Sequence, residues 1–146
     1  VFRNKNTYKR GSMTSFTDLH LELEIKAKDF RENPTEANGN RIIEEIVRLI
    51  KMNASILIDG VQSDVNKDIT VPSGYYAKDS RFYIHIFSSK VAFDASTASN
   101  PFMMHMQDLM RYMDESEQIG GFSLNHTKET GAILITREDI ASYMNK

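Results

Sequence analysis

Four histidines, a scatter of serines and carboxylates, and no cysteine at all are what this chain offers for chemistry. His20, His85, His105 and His126 fall on four different expected elements, and no two are spaced one, three or four apart. The close imidazole pair that usually opens a zinc site is therefore not written locally. The missing cysteine removes disulfides, thiolate nucleophiles and cysteine-bound zinc together. Asp64-Val65-Asn66-Lys67-Asp68 matches the first three ligand positions of a calcium loop. Ile69, however, stands where the sharp turn needs Gly, and Tyr75 where the bidentate Glu belongs. No metal or other cofactor is expected.

Ser88 and Ser89 follow a segment containing His85, the one arrangement suggestive of a nucleophile and its base. Strand residues four apart stand roughly 13 Å from each other, so His85 and Ser89 cannot meet without a sharp bend. Helix capping is the plainer role for the two serines. His85, between Ile84 and Ile86, reads as a hydrogen-bonded core imidazole. The glycines at 11, 39, 60, 74, 120, 121 and 131 make neither a Walker loop nor a dinucleotide fingerprint. A hydrolase-like enzyme would have to assemble His85, Ser89, Asn125 and His126 entirely by folding.

Methionine is more concentrated. Met103, Met104, Met106, Met110 and Met113 fall within eleven residues, out of eight in the chain. A Met-rich stretch either fills irregular gaps in a core or adapts to varied apolar partners. In the second case the binding residues would be Met103 and Met104, with His105 and Tyr112 off the stripe as a rim. Asn125 and His126 join them as further binding candidates.

The elements that must position these residues can be read from periodicity. Leu19, Leu21, Leu23 and Ile25 alternate with polar residues as a strand would, although the residue types favour helix. Asn33-Pro34-Thr35-Glu36 signals a helix start. Ile42, Ile43, Ile46, Val47, Leu49 and Ile50 then make a core-facing stripe over roughly 41–52, with Glu44 and Arg48 as a possible ion pair on the other side. Strands are expected at 55–58 and 81–87, separated by a polar loop or loose hairpin over 59–74. A short helix follows Ser88-Ser89. The stretch 102–113 fits a strand to about 106 and then a helix from Gln107. Gly120-Gly121 reads as a turn, with strands at 122–124 and 132–135. Thr136-Arg137-Glu138-Asp139 forms a capping box for a last helix whose inner face is Ile140, Tyr143 and Met144. The sequons at Asn53 and Asn125 read as chance matches.

With 40% apolar and 26% charged residues, the composition excludes a disordered or coiled-coil chain, and 146 residues suffice for one core. No stretch approaches the ~20 apolar residues of a membrane span. Residues 1–10 hold Arg3, Lys5, Lys9 and Arg10 and no acid; 18 basic residues less these four leaves 14 against 20 acidic ones elsewhere. So acidic a remainder is a poor surface for duplex nucleic acid. Residues 1–15 read as a basic leader, in which Gly11-Ser12-Met13 resembles a cloning junction ahead of a start methionine. Residues 16–146 read as one domain. The lack of cysteine and of a signal-peptide core points to the cytoplasm.

Several segments, in order, resemble the N-terminal domain of SseB-type proteins, a bacterial family named for enhanced serine sensitivity. Ile56-Leu57-Ile58 is followed by a long polar stretch and then Tyr83-Ile84-His85-Ile86-Phe87-Ser88-Ser89, similar to the family's strand ending in a Phe-Thr/Ser step. Gly120-Gly121-Phe122-Ser123-Leu124-Asn125 is similar to its Gly, short strand and Asn-Pro, with His126 here in place of the Pro. Ile133-Leu134-Ile135-Thr136-Arg137-Glu138-Asp139-Ile140 matches its closing strand and helix. The family's Pro within the first strand is missing. The resemblance implies a small domain with no established catalytic activity or cofactor. The expected fold is α+β, a mixed sheet of four or five strands packed with three or four helices. The expected function is a non-enzymatic protein-binding or regulatory module. A small hydrolase-like enzyme and a structural homo-oligomer subunit remain open beside it.

Overall fold

A computed structural model of the protein describes residues 20–146. The basic leader and Leu19 lie outside the described residues. The fold is α+β, with five helices and one mixed sheet of seven strands among the described residues, somewhat richer in both than expected.

The segment whose alternation suggested a strand is helix α1 (Leu21–Glu32). Leu23 and Ala27, four apart, are its buried residues, whereas Leu21 and Ile25 are 54% and 44% exposed. The apparent alternation thus counted two solvent-facing side chains, and the helix-forming residue types decide the matter. Helix α2 (Glu36–Lys51) unites the start signal at 33–36 and the stripe at 41–52 in one element. Its cap is Thr35, whose side chain accepts from the Asn38 N–H, so Pro34 precedes the cap instead of following it. The expected Glu44–Arg48 pair gives way to Glu45, which is only 4% exposed and receives Arg48 Nη2 at 2.6 Å and Lys26 Nζ at 3.5 Å. These two cations hold its carboxyl below the usual range against the opposing effect of burial.

Strand β1 (Ser55–Gln62) pairs antiparallel with β5 (Pro101–His105) on one side and with β4 (Phe82–Phe87) on the other. Beyond Ile58 and Ile86 those two strands part. The polar segment returns as β2 (Thr70–Pro72) beside β1 and β3 (Gly74–Tyr76) beside β4, filling the fork. Ser73 sits at the branch: its N–H donates to Asp59 O at 2.7 Å and its C=O accepts from the His85 N–H at 2.9 Å. Helix α3 (Lys90–Asp94) follows β4, capped by Ser89 as expected. Helix α4 (Met106–Asp114) leads to β6 (Ile119–Thr127), which lies parallel to β4 and antiparallel to β7 (Gly131–Thr136). Helix α5 (Arg137–Met144) closes the fold with Thr136 accepting from the Asp139 N–H.

Gly120 and Gly121, expected as a turn, lie inside β6. A Cβ on Gly121 would fall 1.9 Å from Ile135 O, at a φ of +149°, and one on Gly120 would fall 2.8 Å from Tyr83 Cζ. These glycines mark close approach within the sheet, not a reversal of the chain.

The sheet's two sides differ. Ile56, Ile58, Ile84, Ile86, Phe122 and Leu124 face the main core, which α1, α2, α4 and α5 complete through Leu23, Ile46, Leu109 and Ile140. On the other side Leu57 and Phe87 pack with Phe93 of α3, with Met103 and Ala98 beside them. Met106 and Met113 are fully buried, so much of the methionine stretch is core.

Candidate functional site

The less covered side of the sheet carries a cluster of rings. Alternation in β4 sends Ile84 and Ile86 to the helices and His85 to the opposite side. The parallel register sets Ser123 of β6 beside His85, and β3 brings Tyr75 opposite Tyr83. The β6–β7 register shifts between Leu124 and Thr127, where Asn125 takes a φ of 50° that Asn tolerates better than most residues. His126 comes next and joins the cluster. Tyr75 and His85 stack with centroids 5.8 Å apart and planes within 6°, Tyr75 and His126 are 4.7 Å apart, and His85 and His126 are 5.2 Å apart.

His85 is not the hydrogen-bonded core imidazole that its sequence context suggests. Among the described residues its buried Nδ1 has no hydrogen-bond partner, and neither has the buried Oγ of Ser123, its register partner on β6. Burial pushes the His85 imidazole down to about 4, with His126 adding to the effect. Burial and the nearby Arg31 guanidinium also lower His126. Both rings are thus held toward the neutral form. Burial, then Asp79, raises the Tyr75 phenol, which keeps its proton. The other two histidines are engaged: His20 Nε2 lies 2.5 Å from Ser55 O, and His105 Nδ1 lies 3.2 Å from Ser55 Oγ and 3.3 Å from Asn53 O.

A second polar cluster joins the ends of the two parallel strands to α1. The Ser88 N–H donates to Asn125 Oδ1 and Asn125 Nδ2 donates to Ser88 Oγ, both at 2.9 Å. Ser88 Oγ donates to Glu24 Oε1 at 3.0 Å, and Ser89 Oγ also donates to that oxygen while accepting from the Ala92 N–H. Arg31 reaches past this cluster to Asn125 O at 2.8 Å, Thr130 O at 2.9 Å and Gly131 O at 3.2 Å, tying the β6–β7 hairpin to α1. The Phe-Ser-Ser step and the Asn that carried the resemblance therefore meet in space, and their bonds are structural. Among the described residues none of these side chains hydrogen-bonds to His85 or His126. His85 and His126 come together on one side of the sheet, while Ser89 and the Asn125 side chain turn to Glu24 of α1.

The other expected binding residues are dispersed. Met103 and Met104 point to opposite sides of β5, toward the α3 cluster and the main core respectively. His105 is exposed, and Tyr112 is half-buried against the main core. β5 stands three strands from β6, roughly 14 Å away. Of the expected binding residues His126 lies in the ring cluster, while its neighbour Asn125 belongs to the Ser88–Glu24 cluster. Sequence reasoning missed Tyr75 and Ser123. Tyr75-Tyr76 after Pro72-Ser73-Gly74 was the available sign of a strand, but nothing local shows which strand it joins.

Among the described residues no group of three or more His, Asp or Glu side chains is gathered to hold a metal ion, and no helix is long and apolar enough to cross a membrane. Comparison with known protein families, curated proteins and solved structures yields no match.

Proposed function

We propose that the chain is a non-enzymatic protein-binding or regulatory module of the SseB type, acting in a bacterial cytoplasm, whose partner docks on the sheet side bearing Tyr75, His85 and His126. The observation that carries this reading is the asymmetry of the sheet. Among the described residues four helices cover one side, while the short α3 covers only part of the other. The remainder presents half-buried rings beside Leu134 and Val61, which are 39% and 42% exposed. Half-buried aromatic and histidine rings offer apolar area at small entropic cost, together with polar edges for specificity. The commitment of Ser88, Ser89, Asn125 and Glu24 to one another supports a binding role over hydrolysis.

The test is an affinity capture from bacterial lysate with the full chain, its His126→Glu variant and a His105→Glu control. One stoichiometric protein, kept by the control and lost by His126→Glu at unchanged melting temperature, is the expected result. Equal capture by all three chains would remove this surface from consideration.

A homo-oligomer subunit is the second reading, favoured by β7. Among the described residues that strand pairs only with β6, and Gly131–Thr136 contains neither charge nor Pro to protect its other edge. A groove of about 310 Å³, lined by Phe30, Pro34, Ile42 and Ile133 together with Glu36, Asn40 and Asp139, runs beside it. A monomer by light scattering at high concentration would count against this reading.

A further inference from the structure

We propose that the outer edge of β7 and the groove beside it take up an extended segment of another protein, apolar and basic residues alternating, as an added strand. On one edge β7 pairs with β6. On the other, the backbone groups of Ala132 to Ile135 have no partner among the described residues; Arg31 takes only Thr130 O and Gly131 O at the strand's start. A row of free N–H and C=O groups is a template for one more strand.

The groove sets what that strand must carry. Ile133 and Ile135 turn into the core, and alternation sends Leu134 to the other side of the sheet. All three line the groove nevertheless, so the edge of β7 is one of its walls, and Gly39, Ile42 and Ile43 of α2 line it too. A strand added to β7 directs every second side chain toward α2 and into this space, whose volume of about 310 Å³ suits aliphatic side chains. Glu36 and Asp139 also line the groove, and no lysine or arginine does. Both acids are exposed, and neither side chain makes a hydrogen bond or ion pair among the described residues. Basic residues flanking the apolar ones supply the missing charge. A second copy of the chain fits less well. Its own Ile133 and Ile135 are 6% and 2% exposed, already spent on its core, and it would set a second acidic groove against the first.

The probe is a short synthetic peptide alternating valine and lysine, blocked at both ends and titrated into the labelled full chain by NMR. Saturable one-to-one binding is expected, shifting the amides of residues 132–136 and 36–43 and leaving Tyr75 and His126 silent. N-methylation of alternate peptide amides should abolish binding in one frame and spare it in the other, because only one edge of the added strand meets β7. Glu36→Gln combined with Asp139→Asn should weaken binding about fivefold with the fold retained by circular dichroism. A valine–glutamate peptide should not bind. His126→Glu should change nothing, so this site and the ring-bearing face stand or fail separately. No binding at ~1 mM peptide, indifference to methylation in both frames, or equal affinity for the valine–glutamate peptide would overturn the proposal. So would protection of the outer β7 amides from exchange before peptide is added, in monomer or dimer, which would show that the chain itself covers this edge.

Discussion

Acidification should destabilise this protein through His85, and His85→Phe should remove that part of the loss. In the folded chain the imidazole is pushed down to about 4, against 6.5 for the free side chain, chiefly by burial and secondly by His126. Above 6.5 both folded and unfolded chains hold it neutral, and it contributes no pH dependence. Between 6.5 and about 4 the unfolded chain takes up a proton that the folded one refuses, so stability falls with pH. At about 1.4 kcal/mol per unit the full shift amounts to about 3 kcal/mol. Partial exposure of the ring screens some of it, leaving about 2 kcal/mol. Phe fits this position beside Tyr75 and Phe87 and cannot titrate. Urea unfolding followed by circular dichroism, with chelator present, gives stability against pH for both chains. His20, His126 and Glu45 also titrate in acid, but they do so in both proteins. The difference between the two curves should therefore change by about 2 kcal/mol between pH 6.5 and 4, the wild type losing the more. Parallel curves, or a His85 ring titrating near 6.5 by NMR, would refute the reasoning.

The remaining predictions concern the backbone and the polar clusters. Gly121→Ala should leave no folded protein in a melting experiment, because its Cβ would fall 1.9 Å from Ile135 O within the sheet. Gly131→Ala, at a φ of +72° with nothing near the added atom, should cost only about 1–2 kcal/mol. Thr136→Ala, which removes the cap on the Asp139 N–H, should cost about 1 kcal/mol in urea unfolding. Asn125→Ala deletes two hydrogen bonds to Ser88 and should lower stability by about 1–3 kcal/mol; an unchanged midpoint would show that this junction is not holding the strand ends together.

Much of the fold is legible in the sequence where the signal is local. The stripe of α2, the Ser89 and Thr136 caps, and the change from strand to helix at Met106 all express themselves within a few residues. The alternation in helix α1 suggests a strand because Leu21 and Ile25 are exposed apolar residues, and apolar type alone does not say which way a side chain faces. Gly120-Gly121 misleads for a related reason: a missing Cβ serves a turn or a tight contact equally well, and the contacts come from Tyr83, Arg81 and Ile135, distant in the sequence. The site was half visible. His85, Asn125 and His126 drew attention by residue type. That Tyr75 and Ser123 complete the ring cluster depends on the β3–β4 and β4–β6 registers, which are long-range pairings. The Met-rich stretch was the strongest compositional signal, and much of it is spent on the core.

Amide and methyl chemical-shift mapping of the labelled chain, as the captured partner is added, bears most directly on the docking surface. Perturbations concentrated on Tyr75, His85, His126 and Leu134, with α2 and α5 silent, are the predicted result. Perturbations confined to the outer faces of those helices would contradict the assignment of the sheet's less covered side as the binding surface.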